Sequence, residues 1–457
     1  MARIGILPLG RATFDTDYAA QMLDSMIGLL EDSTHDIIGP RNLLFDAEAA
    51  RGAVRDLHDA GLDRILILQV TFTDAAMTVE IAKAFPDPPL ALWAIPEPRD
   101  GGRLRLNAFC GLNLASHALG LNGRAFGWLY AAPEPSARED LADLLAGGRR
   151  AGRLQPEPVA SDSSPIVEAL RGRRVGRIGT HPDGFDTCAY DADALHSLTG
   201  VEVESLPLET LFETARSVDA DRANTLRVEA DRTLTGLGSV DQDELDRSLR
   251  LKLALDDIRA EGRYDAFAIR CWPETFTEYG GAVCGPVAML GEARVPCACE
   301  ADVYGSVTQM LLQEAADAPV FLVDLVDMDV KDDTGIVWHC GQAPASMAAE
   351  QPSATIHTNR KMPLLYEFAL KAGRVTLLRL SQAHGQTRMV IGGGEMLDRP
   401  HAFTGTSGVV RFDRPARDVL SDVIDSGLEH HMALAYGDHR AALRRAAGAM
   451  GVPVLEI

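Results

Sequence analysis

Apolar residues recur along the first 130 positions in two alternating patterns. Apolar runs at Ile4–Leu7, Ile65–Val70 and Leu90–Ala94 predict buried strands, with a shorter extended piece at Ile37–Ile38. Between them, Tyr18–Leu30, Ala47–Ala60 and Ala75–Phe85 carry helical spacing. Such β-α-β alternation predicts a parallel sheet with helices on both faces, closed by Phe126–Tyr130. Ala132–Ser164, rich in Pro, Gly, Ala and charge, reads as a linker or surface excursion.

A second series follows. Val175–Ile178 and Val201–Leu206 predict strands, and Gln242–Glu261 an amphipathic helix with Leu245, Leu249, Leu253 and Ile258 near one face. Ala266–Ile269, Val295–Cys299 and Val320–Val323 add buried strands. Beyond about Val330 the pattern turns β-rich. Arg374–Ser381 and Thr387–Ile391 predict an antiparallel hairpin, with Gly392–Gly394 as a turn. Ser407–Phe412 continues the β character, and Ala441–Met450 forms a helix before the strand Val452–Ile457. The expected class is α/β: two doubly wound parallel-sheet domains, over 1–160 and 161–330, followed by a β-rich antiparallel, barrel-like domain over 331–457.

Composition narrows the partners. A formal charge of −22 argues against nucleic acid and anionic membranes, whose phosphates would be repelled. A small anionic substrate stays compatible, because local charge in a pocket can oppose the net charge. No apolar run reaches the roughly 18 residues of a membrane helix. The first residues lack the basic and apolar segments of an exported precursor. Seven scattered cysteines offer no disulfide framework, and Cys297-Ala298-Cys299 reads as buried thiols in a strand. These features predict a cytoplasmic protein.

Candidate chemistry concentrates between Arg270 and Gly305. Cys271-Trp272-Pro273-Glu274 follows one predicted strand and Cys299-Glu300-Ala301-Asp302 follows another. Ligands gather outside the carboxyl ends of strands in doubly wound sheets, so both acidic motifs fall where a site belongs. Acidic residues after strands also serve as helix N-caps. His339 and the pair His430-His431 add imidazoles, and two carboxylates with two imidazoles suit Mn²⁺, with Co²⁺, Fe²⁺ and Zn²⁺ as alternatives.

The order of these motifs resembles the L-arabinose and L-fucose isomerases. In the arabinose enzymes a glutamate is followed, after an interval similar to that from Glu274 to Glu300, by Glu-Gly-Asp; the fucose enzymes carry Glu-Asn-Asp where this chain has Glu300-Ala301-Asp302. Val337-Trp338-His339 is similar to the family's Gly-Ser-His, and His430-His431-Met432-Ala433-Leu434-Ala435 to its His-His-Thr-Val-Phe-Ser. Leu112-Asn113-Leu114-Ala115-Ser116-His117, followed by Arg124-Ala125-Phe126-Gly127-Trp128, looks like Leu-Asn-Gln-Thr-Ala-His and Arg-Glu-Phe-Gly-Phe. Thr71 stands where the family has a histidine, and the surroundings of Glu274 differ from the arabinose enzymes' Phe-Glu-Asp.

The resemblance implies a metal-dependent aldose–ketose isomerase working through a cis-enediolate on a sugar. It implies Glu274 and Asp302 as proton-transferring residues that also hold the metal, with His339 and His431 as further ligands. The arabinose pattern favours Glu300 as the ligand and the fucose pattern Asp302; the Cys-Trp-Pro-Glu and Cys-Glu-Ala-Asp context favours Asp302. It further implies a homo-oligomer, trimer or hexamer, with pockets between subunits. His117 would then contact substrate across an interface with Arg11 and Phe14, while Trp272 and His430 touch it from beside the metal. Two alternatives share the chemistry: a modified sugar such as the sulfonated hexose sulfoquinovose, or epimerisation. A third is a sugar-binding protein without catalysis, since two α/β domains around a cleft also describe such receptors.

Overall fold

The computed structural model describes residues 1–148, 155–161 and 163–457. Its first strand, β1 (Arg3–Leu9), is buried from Ile4 onward, as a parallel strand covered on both faces must be. It is joined by β2 (Asp36–Ile38), β3 (Arg64–Gln69), β4 (Leu90–Ala94) and β5 (Phe126–Tyr130) in the parallel order β2-β1-β3-β4-β5. The chain moves outward from β1 to β2 and then crosses back to β3. Loops leaving β1 and β3 therefore diverge at a switch point, where a crevice opens at the strand carboxyl ends.

The second sheet is β6 (Arg174–Ile178), β7 (Glu202–Leu206), β8 (Ala266–Ile269) and β9 (Cys297–Ala298), again parallel, in the order β7-β6-β8-β9. The motifs at Arg270–Glu274 and Cys299–Asp302 leave the carboxyl ends of β8 and β9. The helix Gln242–Gly262 packs here, burying Leu245, Leu249 and Ile258 as expected. Leu251 and Leu255 complete its buried face, whereas Leu253 is only half-buried.

The third sheet holds nine strands: β10 (Phe321–Asp329), β11 (Thr334–His339), β12 (Ser353–Thr355), β13 (Leu365–Ala369), β14 (Gly373–Ser381), β15 (Arg388–Met396), β16 (Thr406–Phe412), β17 (His431–Tyr436) and β18 (Val454–Glu456). The predicted hairpin is β14–β15. Two expectations change. The strand at Val320–Val323 pairs with β11 and β17, so it belongs to this sheet and not to the central one. The sheet is mixed, because β13 with β16 and β15 with β18 run parallel. Pairing of β15 with β16 links β16, β11, β10, β17, β14 and β15 in a continuous cycle. Gly394 is a strand residue between β14 and β16, where a Cβ would meet the Arg411 carbonyl at 2.5 Å.

Periodicity overlooks the helix Ala108–Leu121, whose residues from Ala108 to Leu119 are all buried. A helix buried on every face, with Asn113, Ser116 and His117 among its buried residues, has no apolar stripe to find. It bridges the first sheet and β10, and the core of the first sheet continues into that of the nine-stranded one. The predicted linker contains the helix Arg138–Ala146, with Leu141, Leu144 and Leu145 buried. Positions 149–154 and 162 of that segment lie outside the described residues. No described helix is long and apolar enough to cross a membrane.

Candidate active site

Glu300 lies in the turn between β9 and the helix Val303–Ala316. Glu300 and Ala301 both adopt left-handed backbone (φ 58° and 53°), a conformation costing non-glycine residues on the order of 1 kcal/mol or more. Trp272, just beyond β8, donates its indole N–H to Glu300 Oε1 at 3.0 Å. His430 Nε2 meets Oε2 at 3.0 Å. Burial alone would raise the Glu300 pKa, but His430, His431 and the indole outweigh it and hold the carboxylate ionised.

Asp302 is spent on structure. Its oxygens accept from Arg379 Nη1 (2.6 Å) and Nη2 (3.2 Å), from the Gly305 amide (2.8 Å) and from His431 Nδ1 (2.9 Å). A carboxylate offers about four lone-pair sites, and all are taken. Burial opposes ionisation, yet Arg379 and His431 keep the carboxyl well below its usual range. Asp302 is thus the N-cap of the helix Val303–Ala316 and the anchor of His431, with no capacity left for a metal.

That anchor orients His431. With Nδ1 spent on Asp302, Nε2 is left facing Glu300 Oε2 at 3.7 Å and Asp324 Oδ1 at 3.5 Å. Asp324 lies in the middle of β10, in register with His431 on β17 and Trp338 on β11. His339 follows Trp338, and one ligand atom each from Asp324, His339 and His431 falls within 4.8 Å of the others. Asp324 Oδ1, His339 Nε2 and His430 Nδ1 are buried without hydrogen-bond partners. Orphaned buried polar atoms clustered this way fit a bound group. Burial pushes the Asp324 carboxyl up to about 7 against the pull of His431. His339 is kept neutral by burial, and its Nδ1 accepts the Cys340 amide at 2.9 Å. Its proton therefore sits on Nε2, which makes this ring a donor into the cleft. Cys188 stands beside Glu300, His430 and His431, but burial keeps it a neutral thiol. The donor set is oxygen and nitrogen.

The structure separates the other expected residues. Arg11, Phe14, Trp272, Glu300, His339 and His430 line one cleft with Asp324. Glu274 is outside it: Arg270, one turn earlier, takes its carboxylate at 2.7 Å and lowers its pKa. Of the two acids left open, Glu300 faces the cleft and Asp302 stands behind it. Arg11 and Phe14 arrive from the same chain, since the loop after β1 folds onto the mouth and the Arg11 amide donates to Thr71 Oγ1 at 2.8 Å. His117 is buried with its Nδ1 on the Gly427 carbonyl at 2.8 Å and borders a separate small cavity with Tyr304, Arg379 and Glu429. Asp324 escaped sequence reasoning; its one signal is a lone carboxylate inside the apolar run Val320–Val326. All seven cysteines are free, and those of Cys297-Ala298-Cys299 are buried thiols.

Residues 5–154 match the family described as fucose/sulfoquinovose isomerase, N-terminal domain, and residues 337–457 the L-fucose isomerase C-terminal domain. A sulfoquinovose isomerase of Alkalicoccus urumqiensis is 30% identical over 100% of both chains. Sulfoquinovose isomerases of Priestia aryabhattai (30% identical, 94% of each chain) and a Clostridium species (32%, 95% of each) are similarly close. The fold and site define an enzyme, an aldose–ketose sugar isomerase. The chain belongs to the fucose isomerase-like family.

Proposed function

We propose that this chain is a divalent-metal-dependent isomerase that interconverts the aldose and ketose forms of a sulfonated hexose through a cis-enediolate. The observation that carries the metal reading is His431 Nε2, aimed by Asp302 at Glu300 Oε2 and Asp324 Oδ1. A histidine fixed by a carboxylate on its far nitrogen is the usual arrangement of a metal ligand. Two carboxylates and one imidazole suit Mn²⁺, with Co²⁺, Fe²⁺ and Zn²⁺ as alternatives. When bound, the cation would stabilise negative charge developing on two neighbouring sugar oxygens.

The chain's own residues supply the remaining steps. Asp324 Oδ1, free of hydrogen bonds, takes the proton from C2 and returns it to C1 on the same face. Glu300, held ionised and pinned by Trp272, moves the hydroxyl proton. His339 Nε2–H donates to a sugar oxygen. Phe14, Phe72 and Trp338 wall the cleft and keep water from the reactive intermediate. The roles first expected of Glu274 and Asp302 thus pass to Glu300 and Asp324.

The full-length relatives named sulfoquinovose isomerases support the sulfonated hexose as substrate. The test is an assay of metal-stripped protein with sulfoquinovose, pentoses and 6-deoxyhexoses, with and without Mn²⁺. Mn²⁺-dependent formation of the ketose from sulfoquinovose is expected. Equal turnover after chelation would remove the metal, and an epimer as the sole product would change the reaction.

A further inference from the structure

The same cleft carries a second chemistry that the acid cluster does not use. Arg11 lays its guanidinium over the Trp272 ring, with Cζ 4.8 Å from the centroid. Arg360, in the loop between β12 and β13, reaches the same ring at 5.8 Å. Cation–π contact favours both positions. Both arginines line the cleft. Burial works against the charge of each, and the Arg11 charge works further against Arg360.

Counter-charge is thin at this spot, in a chain whose net charge is −22. Arg11 has Asp74 at 4.0 Å, and the Glu300 carboxylate also supports its charge. Among the described residues, no carboxylate acts on Arg360. Arg360 is thus a partly buried guanidinium beside another cation and without a carboxylate of its own, and a bound anion would relieve that cost. The rim is braced for this purpose: Arg103 Nη2 donates to the Thr13 carbonyl at 3.1 Å and to Asn359 Oδ1 at 2.9 Å, tying the Arg360 loop to the loop after β1.

Trp272 relates the two chemistries. Its indole N–H holds Glu300, while its ring faces the arginines. The indole thus spans from Glu300 to the two guanidiniums, so a sugar whose carbonyl end lay at Glu300 would have its far end beside them.

Building on the isomerase reading above, we infer that Arg11 and Arg360 bind a terminal oxyanion of the substrate, the sulfonate carried on the carbon farthest from the carbonyl. Planar N–H forks match the oxygens of a tetrahedral anion and gain charge-assisted hydrogen bonds. A neutral hexose leaves Arg360 without an anion, so the pair selects for the charged sugar. Sulfonates and phosphate esters share this chemistry.

Calorimetric binding of sulfoquinovose, glucose 6-phosphate and glucose to wild type, Arg360→Gln, Arg360→Lys and Arg11→Gln tests the pair without requiring turnover. An oxyanion-bearing sugar should bind at least about tenfold tighter than glucose, as one charge-assisted contact implies. Arg360→Gln and Arg11→Gln should each erase most of that margin, and Arg360→Lys should restore part of it. A margin shown by glucose 6-phosphate alone keeps the clamp and makes its natural source a phosphate ester. Equal affinity for charged and neutral sugars, or a margin unchanged in both Gln variants, overturns it. Failure of Mn²⁺-dependent turnover with the margin intact would instead sink the isomerase reading alone.

Discussion

Asp302 accepts a hydrogen bond from His431 Nδ1 at 2.9 Å, and by doing so turns the other ring nitrogen toward Glu300 and Asp324. The carboxylate that looks most like a ligand in the sequence is the one that orients its neighbour's free ring nitrogen into the acid cluster.

Replacing Asp302 by Asn should therefore act at a distance from the cation. Loss of such an outer partner lowers metal affinity about 10- to 100-fold. It also leaves Arg379 buried beside a neutral amide, a loss on the order of 3 kcal/mol or more in stability. Mn²⁺ titration and thermal melting of Asp302→Asn measure the two effects separately.

Glu274 and Glu300 should diverge sharply. Glu274 is paired with Arg270 outside the cleft, so Glu274→Gln should keep kcat within a few-fold of wild type. Glu300→Gln removes a cleft carboxylate and should lower kcat by about 10²- to 10⁴-fold. Steady-state kinetics of the two variants in parallel give the comparison; a severe defect in Glu274→Gln would return that residue to the site.

Asp324 gives the metal-free protein a pH signature. Burial raises its pKa from 3.8 to about 7, so the folded state holds this proton more tightly than the unfolded chain. Its contribution to stability is full below the unfolded pKa and is lost as pH rises toward 7, reaching on the order of 4 kcal/mol above that. Asp324→Asn should then stabilise the metal-free protein, with a gain that grows from pH 4 to pH 7 and levels off beyond. Melting curves of wild type and variant across that range, in chelator, read the difference; a gain independent of pH would count against it.

His117 should behave as a structural residue. Its Nδ1 bonds the Gly427 carbonyl and the ring is buried. His117→Ala should cost on the order of 2 kcal/mol in stability, since the Gly427 carbonyl is left without its partner. The KM for sugar should stay near wild type. Denaturant unfolding with saturation kinetics on the same preparation separates this from a direct substrate contact.

Much of this protein follows from local pattern. Burial on both faces of Ile4–Leu9, Ile65–Leu68 and Leu90–Ala94 is written in apolar runs, because a parallel strand between helix layers tolerates no polar side. Glu300, His339 and the His430-His431 pair were legible as candidates, since chemistry-bearing residues at strand ends stand out against an apolar background. Their roles were not. Glu274 and Asp302 are equally acidic and equally placed after strands, yet Arg270 and Arg379 claim them; the i,i+4 spacing marks the first pairing, whereas Arg379, 77 positions from Asp302, leaves no local trace. Asp324 enters the cluster only because β10 aligns it with His431 across an antiparallel pair 107 positions apart in chain number. Sequence sets what each residue can donate or accept; which carboxylates keep a lone pair for the substrate depends on the arginines and histidines that the tertiary fold brings against them.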